Sequence, residues 1–338
     1  MLTPGLHTTV QDLGRVGWQA LGVPVSGALD GFSLGLGNAL VGNPPRAAAL
    51  EILHSGPSFE VAADTVRVAV AGIGAALAIE GEHGHIVAAW HSVSLVRGEV
   101  FQLVLGRESV CAYLAVEGGV AVPLVLGSAS TYLRAGLGGF EGRALRRGDL
   151  VPLAVERASQ RPEQRLPTPL PVTADQPIHV ILGPQQEYFT EEAVATLLDA
   201  EFRISTNADR MGMRLDGPRL CHRQGWDIVS DAIATGAIQV PGSGQPILLL
   251  ADHQTTGGYP KIATVISADL PAVGRRRPGD AIRFAAVTVE EAEQLGRDNE
   301  HHLAALIASI EPAPGGSNID LASLYAGNLI SGVVTATE

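Results

Sequence analysis

Hydrophobic positions in this chain come mostly in short runs, broken every few residues by glycine, proline or a charged pair. In the first half such runs stand at 49–52, 58–61, 66–71, 76–79, 86–90, 100–105 and 111–116. They are too short for helices and rich in β-branched and aliphatic side chains. With turn residues between them they predict an antiparallel, all-β arrangement. Gly81-Glu82-His83-Gly84-His85 reads as one of the turns. Residues 30–41 depart from this pattern: Phe32, Leu36 and Leu40 share a helical face and Asp30 stands at the N-cap position. A helix is expected there, although three glycines inside it argue for less stability.

A proline-rich stretch at 157–176, containing Pro162, Pro167, Pro169 and Pro171, reads as a linker. Beyond it, strands are expected at 178–182, 214–215, 237–240, 247–251, 263–266 and 281–284. A helix is expected at 190–200, with Thr190 as its cap and Glu191 and Glu192 at its positive end. The two halves rhyme. Arg146-Arg147-Gly148-Asp149 precedes an apolar pair, and so does Arg277-Pro278-Gly279-Asp280. The repeated order implies two related β-rich units. Leu295, Leu303, Leu306 and Ile310 recur at helical spacing in 288–310, which predicts a helix packed on the second unit. Residues 312–338 read as a loosely held extension. The expected organisation is a first β unit over 1–160, a second over 172–288, and a helix with extension over 289–338.

Composition narrows the function classes. The chain has 338 residues, 46% hydrophobic and 17% charged, which suits a compact protein of two domains. A net charge of −12 argues against a nucleic-acid binder. The local run Arg275-Arg276-Arg277 reads as a solvated turn. Two cysteines, Cys111 and Cys221, make neither a disulfide framework nor a metal site. His83 and His85 have no acidic or cysteine companions to complete a metal site, so no metal is expected. Glu51 with His54, and His301-His302, read as surface or packing residues. Residues 1–11 lack the character of a signal peptide, and no apolar run reaches the roughly 20 residues of a membrane span. A cytoplasmic protein without a membrane partner is the expectation. Ser243 lies in a short turn, not in a Gly-x-Ser-x-Gly elbow, which speaks against a serine hydrolase.

The chain holds 22 arginines and one lysine, Lys261, which ends Asp252-His253-Gln254-Thr255-Thr256-Gly257-Gly258-Tyr259-Pro260-Lys261. Lys261 precedes Ile262, so there is no P-loop, and Pro-Lys-Ile is a poor site for biotin attachment. If ATP or biotin takes part, a partner is expected to bring the usual lysine-bearing machinery. Asp252 stands after an apolar strand. Thr255 and Thr256 offer hydroxyls, Gly257 and Gly258 offer open backbone N–H groups, and Lys261 adds charge: the parts that hold an oxyanion or carboxylate. The same stretch also suits a ligand-free hairpin. Arg210 suits either a substrate carboxylate or a turn held through Asp209 or Asp216. Gln239 would reach into a pocket or face water.

Thr8-Thr9-Val10-Gln11-Asp12-Leu13-Gly14-Arg15 and Gly22-Val23-Pro24-Val25-Ser26-Gly27-Ala28-Leu29-Asp30 resemble the biotin-dependent carboxyltransferase-like family, also called allophanate hydrolase subunit 2. Arg210-Met211-Gly212, Gly236-Ala237-Ile238-Gln239-Val240-Pro241-Gly242 and the stretch from Gln254 to Lys261 match as well, and the likeness runs from about Leu2 to Phe284. The family holds the C-subunit of 5-oxoprolinase, KipA-type antagonists of a kinase inhibitor, and the carboxyltransferase region of urea carboxylase. The resemblance implies a mainly β fold with a few helices, arranged as two cyclophilin-like β-barrels. The Gln-Thr-Thr-Gly-Gly-Tyr-Pro loop looks most like the 5-oxoprolinase C-subunit. That implies ATP-driven opening of 5-oxoproline to glutamate, with ATP as co-substrate. The implied partners are the KipI-like B-subunit of 5-oxoprolinase and its A-subunit. The alternatives are carboxyl transfer from biotin carried by a partner, or regulation without chemistry. Under the first reading, Lys261 serves as cation and Asp252 or His253 handles the proton. Arg210 or Gln239 holds the substrate carboxylate, and Gln254, Thr255, Thr256, Gly257, Gly258 and Tyr259 complete the binding surface.

Overall fold

The computed structural model describes residues 1–314 except His83, Pro169 and 171–175. Its first half supplies β1 (His7–Gln11), α1 (Gly31–Leu40), β2 (Ala49–Leu53), β3 (Ser58–Glu60), β4 (Thr65–Ala71), β5 (Ala76–Ile79), β6 (His85–Ala88), β7 (His91–Val96), β8 (Val100–Val104), β9 (Cys111–Val116) and β10 (Gln164–Arg165). One sheet runs β1-β2-β9-β4-β7-β10, and a second runs β3-β8-β5-β6. Val68, Leu77, Leu103 and Leu114, from four strands of these two sheets, are buried in one apolar cluster. That alternation of inward apolar side chains is what the short runs encode.

The second half supplies β11 (Ile178–Leu182), α2 (Glu191–Asp199), β12 (Phe202–Asp209), β13 (Gly212–Asp216), β14 (Asp231–Ala232), β15 (Ala237–Gln239), β16 (Ile247–Leu249), β17 (Thr256–Gly257), β18 (Lys261–Val265), α3 (Leu270–Gly274), β19 (Ala281–Ile282) and β20 (Phe284–Ala286). Its main sheet runs β19-β12-β13-β16-β15-β18-β11-β20. The two edge strands are neighbours in sequence, separated only by Arg283. β19 pairs with β12 and β20 with β11, so one segment stitches both edges and closes the sheet. Closure removes the exposed edges that would otherwise invite aggregation. The mainly β, two-barrel fold class expected from the sequence is therefore present.

The rhyming turns have the same geometry. Asp149 Oδ2 accepts from the Arg146 N–H at 2.7 Å, and Asp280 Oδ2 accepts from the Arg277 N–H at 2.7 Å. Gly148 and Gly279 take φ of 90° and 93°, a left-handed conformation that favours glycine. Helix α1 forms as expected, with Asp30 accepting from Ser33 N at 3.0 Å. Its glycines serve packing: a Cβ on Gly37 would lie 2.9 Å from the Ala71 methyl of β4.

Two expectations need correction. The C-terminal helix, α4 (Val289–Ala308), is capped by a Thr288–Glu291 box but does not pack on the second unit alone. The His302 ring stacks on Phe32 of α1 at 5.7 Å, and Leu303 lies beside Gly35. The chain then forms β21 (Glu311–Pro312) against β10, so the tail straps the first barrel. Its apolar stripe is drawn there because the seam between the units carries a shared core. Tyr113 and Leu36 of one unit belong to the same buried cluster as Phe202, Leu215 and Ile238 of the other. Residues 315–338 of the extension, with His83 and part of the linker, lie outside the described residues.

The second correction concerns Arg275-Arg276-Arg277, which is no solvated turn. Arg275 pairs with Asp30 Oδ2 at 2.7 Å, Arg277 donates to Gly106 O at 3.1 Å, and Arg276 is buried. The run lies in the seam because its cations find carbonyl and carboxylate partners on the opposite barrel.

Candidate functional site at the barrel seam and the glycine-rich loop

Residues 252–261 run from one polar cluster to another. At the far end Lys261 begins β18, and its side chain is 2% exposed. Nζ donates to Asp231 Oδ2 at 2.6 Å and to Ala232 O at 2.8 Å. This hydrogen bond from Lys261 holds the Asp231 carboxyl below the usual carboxylate range. Gln185 locks the pair from the side: its Oε1 accepts from Lys261 N and its Nε2 donates to Asp231 Oδ2, both at 3.1 Å.

The loop between follows from this anchoring. β17 pairs with β14, setting Gly257 opposite Asp231 and Thr256 opposite Ala232. Thr255 O accepts from Ile233 N at 3.0 Å, and Gly258 O accepts from Ile228 N at 2.8 Å. Gln239 is buried beneath the loop and does not face water, and its Nε2 donates to Tyr259 O at 3.2 Å. Gln254 reaches Gln239 Oε1 at 3.4 Å. A Cβ on Gly257 would come within 2.8 Å of Gln239 Nε2, so a larger residue there would have to displace that amide. The Tyr259 ring lies 6.3 Å from that of Trp226, and both are partly open to solvent.

At the near end Asp252 sits in the seam. Its carboxylate takes Arg210 Nε at 2.9 Å and Nη2 at 3.2 Å. Arg210 occupies the turn of the β12–β13 hairpin, so the stretch 203–218 is mostly strand. Its pairing with Asp209 or Asp216 does not occur. Instead Arg210 Nη1 donates to Glu51 of β2, and Nη2 donates to Gly27 O at 2.7 Å. Glu51 Oε2 also accepts from Tyr113 Oη at 2.7 Å and from Leu29 N at 2.8 Å. Burial works against the Arg210 cation, but Glu51 and Asp252 outweigh it and raise its pKa. Burial, then the nearby Glu51, pushes the Tyr113 phenol well up.

His253 is fully buried. Nδ1 lies 2.6 Å from Gln254 O, which can only accept, so Nδ1 carries the proton and Nε2 accepts from Thr235 Oγ1 at 3.1 Å. Burial lowers its pKa and keeps the ring neutral. A cavity of about 310 Å³ opens in the seam, walled by His7, Leu53, His54, Arg134, Arg210 and Asp252. A larger one, about 510 Å³, lies in the first barrel among apolar side chains such as Phe59, Val68 and Phe101 and touches none of these groups.

The structure thus divides the residues singled out from the sequence. Arg210 and Asp252 belong to the seam, whereas Lys261, Gln239, Gln254, Thr255, Thr256, Gly257, Gly258 and Tyr259 gather on the loop, with His253 at its start bonded to Gln254 O and Thr235. Sequence reasoning missed Asp231 and Gln185, which carry no local signal. It read Glu51 as a surface or packing residue, but the side chain is fully buried and paired with Arg210; the signal was a lone acid in the apolar run Ala-Leu-Glu-Ile-Leu. Among the described residues no three His, Cys, Asp or Glu side chains converge as metal ligands would, and no helix is long and apolar enough to cross a membrane.

This two-barrel architecture is shared with known proteins. Residues 21–286 match the carboxyltransferase domain, subdomain A and B, and the chain belongs to that family. It is 36% identical over 297 residues to the 5-oxoprolinase C-subunit of Haemophilus influenzae, covering 88% of this chain and 94% of that protein. The Escherichia coli protein of the same name is 33% identical over 302 residues, covering 89% and 95%. The crystal structure of Kluyveromyces lactis urea carboxylase superposes with a TM-score of 0.82 at 29% identity. That match covers 90% of this chain but only 29% of the larger one.

Proposed function

We propose that this chain is the C-subunit of an ATP-dependent 5-oxoprolinase, opening 5-oxoproline to glutamate together with the A- and B-subunits. The observation that carries this reading is one of length. The chain matches 94% and 95% of two proteins named as 5-oxoprolinase C-subunits, but 29% of a urea carboxylase. Its likeness is thus to nearly the whole of the former and to a part of the latter.

The lactam is an unreactive amide. Transfer of the ATP γ-phosphoryl group to its carbonyl oxygen gives ADP and turns that oxygen into a leaving group. Water then adds to the ring carbon, the C–N bond breaks and the nitrogen takes up a proton, which leaves an acyl phosphate; a second water displaces the phosphate and gives the carboxylate of glutamate. Charge develops on the carbonyl oxygen and the phosphoryl group, so fixed donors nearby lower the barrier. In this reading Lys261 supplies a held cation, Gly257 and Gly258 supply backbone N–H groups, and Thr255 and Thr256 supply hydroxyls. Asp252 is the proton-handling group in the seam, and the buried, neutral His253 supports the loop from below. ATP is the co-substrate, and its binding is assigned to the complex.

The test is glutamate release from 5-oxoproline and ATP by the purified A- and B-subunits, with and without this chain. Release that depends on the chain supports the assignment. Undiminished release without it, or full activity in a Lys261→Ala complex, sinks the assignment or the role of Lys261 respectively. A second reading, carboxyl transfer from biotin carried by a partner, draws on the likeness to the urea carboxylase domain. It requires carboxylation of an acceptor by this chain with a carboxybiotinylated carrier protein, a separate assay.

A further inference from the structure

Arg210 has little left to offer an acid, since its guanidinium makes four hydrogen bonds to Asp252, Glu51 and Gly27. Donors to spare belong to Arg15, in the Asp12-Leu13-Gly14-Arg15 turn that follows β1. Arg15 is 1% exposed. Its backbone N donates to Val25 O at 2.8 Å and its Nη2 to Ser130 O, but Nε and Nη1 have no hydrogen-bond partner. Leaving buried guanidinium donors unmade is costly, which makes them informative.

The anion nearest in sequence is committed elsewhere. Asp12 accepts from the Ser128 and Ser130 hydroxyls and from the N–H groups of Gly14 and Ala129. Two further buried side-chain atoms are also unpaired, Gln11 Oε1 and Ser26 Oγ, on residues linked to Arg15 through shared segments. Gln11 Nε2 is fixed by Thr9 Oγ1 at 3.0 Å and Thr131 O at 3.1 Å, so Gln11 and Arg15 grip the same segment. Ser26 follows the Val25 that receives the Arg15 N–H, and its own N donates to Ala251 O at 3.0 Å, next to Asp252. Gly138 lets Arg15 Nη2 lie against the backbone at Ser130, because a Cβ on Gly138 would lie 2.7 Å from Nη2.

We propose that Arg15, with Gln11 Oε1 and Ser26 Oγ, receives a small carboxylic acid that carries an N–H or O–H next to its carboxylate. The guanidinium donors take the anionic oxygen. Gln11 Oε1 can only accept, so it calls for a donor on the ligand, and the Ser26 hydroxyl can serve either way. This class rests on the three residues alone. Its identification as 5-oxoproline, whose carboxylate and lactam N–H sit on adjacent atoms, rests on the function proposed above.

The experiment is calorimetric titration of the full chain, alone and with the A- and B-subunits, using 5-oxoproline, cyclopentanecarboxylate and 2-pyrrolidinone. The expected order is 5-oxoproline tightest, cyclopentanecarboxylate weaker for want of the N–H, and no binding of 2-pyrrolidinone. Arg15→Lys should raise the Kd for 5-oxoproline at least tenfold. Should that variant fold poorly, Ser26→Gly tests the same site. It keeps the left-handed backbone (φ 55°) while removing the hydroxyl, and should weaken binding severalfold. No acid bound in either preparation, or affinities indifferent to both substitutions, overturns the proposal and leaves a buried water as the partner of Arg15. Acid binding that depends on Arg15, with glutamate release that ignores the chain, keeps this site and sinks the oxoprolinase reading. Release that needs the chain, with KM for 5-oxoproline unchanged in Arg15→Lys, does the reverse.

Discussion

Arg210, at a hairpin tip of the second barrel, donates to Glu51 in the middle of a strand of the first, and both side chains are buried. The same guanidinium holds Asp252 of its own barrel at 2.9 Å. One cation thus ties the two barrels to the start of the glycine-rich loop, and whatever fixes the seam also fixes that loop.

Removing one partner from this network leaves the others buried without compensation. Glu51→Gln and Arg210→Met should each cost about 3–5 kcal/mol of unfolding free energy. The double variant should fall well short of their sum, because the groups act together. Denaturant unfolding of the four proteins measures the coupling, and additivity within about 0.5 kcal/mol would contradict it.

Lys261 should separate activity from stability. Its partner Asp231 is half open to water, so loss of that ion pair alone should change stability little. Lys261→Met should lower glutamate release by the assembled complex by roughly 10²-fold, as expected for loss of a fixed charge at a developing oxyanion. Lys261→Arg should retain more activity than Lys261→Met. Parallel turnover and melting measurements check the split.

Gly257→Ala should disturb the loop from within. The new methyl would meet Gln239 Nε2 at 2.8 Å and Ile233 Cδ1 at 2.7 Å. A cost of about 1–3 kcal/mol is expected. Trimming Gln239 in Gly257→Ala/Gln239→Ala should recover part of it, and thermal unfolding of the single and double variants decides.

Acid should weaken the protein before its carboxylates titrate. Burial lowers the pKa of His253, of His7 and of His54, with Arg210 adding to the effect at His7 and Arg277 at His54. A lowered folded pKa means that the unfolded chain takes up protons first. The stabilisation is therefore complete above the ordinary histidine value of about 6.5 and is lost as pH falls through the folded values. Melting temperature should drop as pH falls below about 6.5. The drop should be shallower in His253→Gln, and equal slopes would remove His253 from the account.

Local patterns were legible wherever the chain answers to its own neighbours. Asp30 and Thr190 cap the helices they were expected to cap, because an N-cap needs only its own side chain and an N–H a few residues on. The paired Arg-x-Gly-Asp turns were readable for the same reason. The Arg275-Arg276-Arg277 run and the landing place of α4 were not. A run of cations looks solvated until a facing surface supplies Asp30 and Gly106. Leu303 likewise shows an apolar stripe without saying which barrel covers it.

The sequence by itself determined two β-rich units, the family resemblance and the Asp252–Lys261 stretch, since each resides in contiguous residues and short periods. Only the tertiary structure decided that Arg210 is spent on Glu51 while Arg15 keeps free donors. Glu51 and Arg210 stand 159 positions apart. Which guanidinium finds a buried carboxylate depends on how two barrels dock, and no local spacing encodes that.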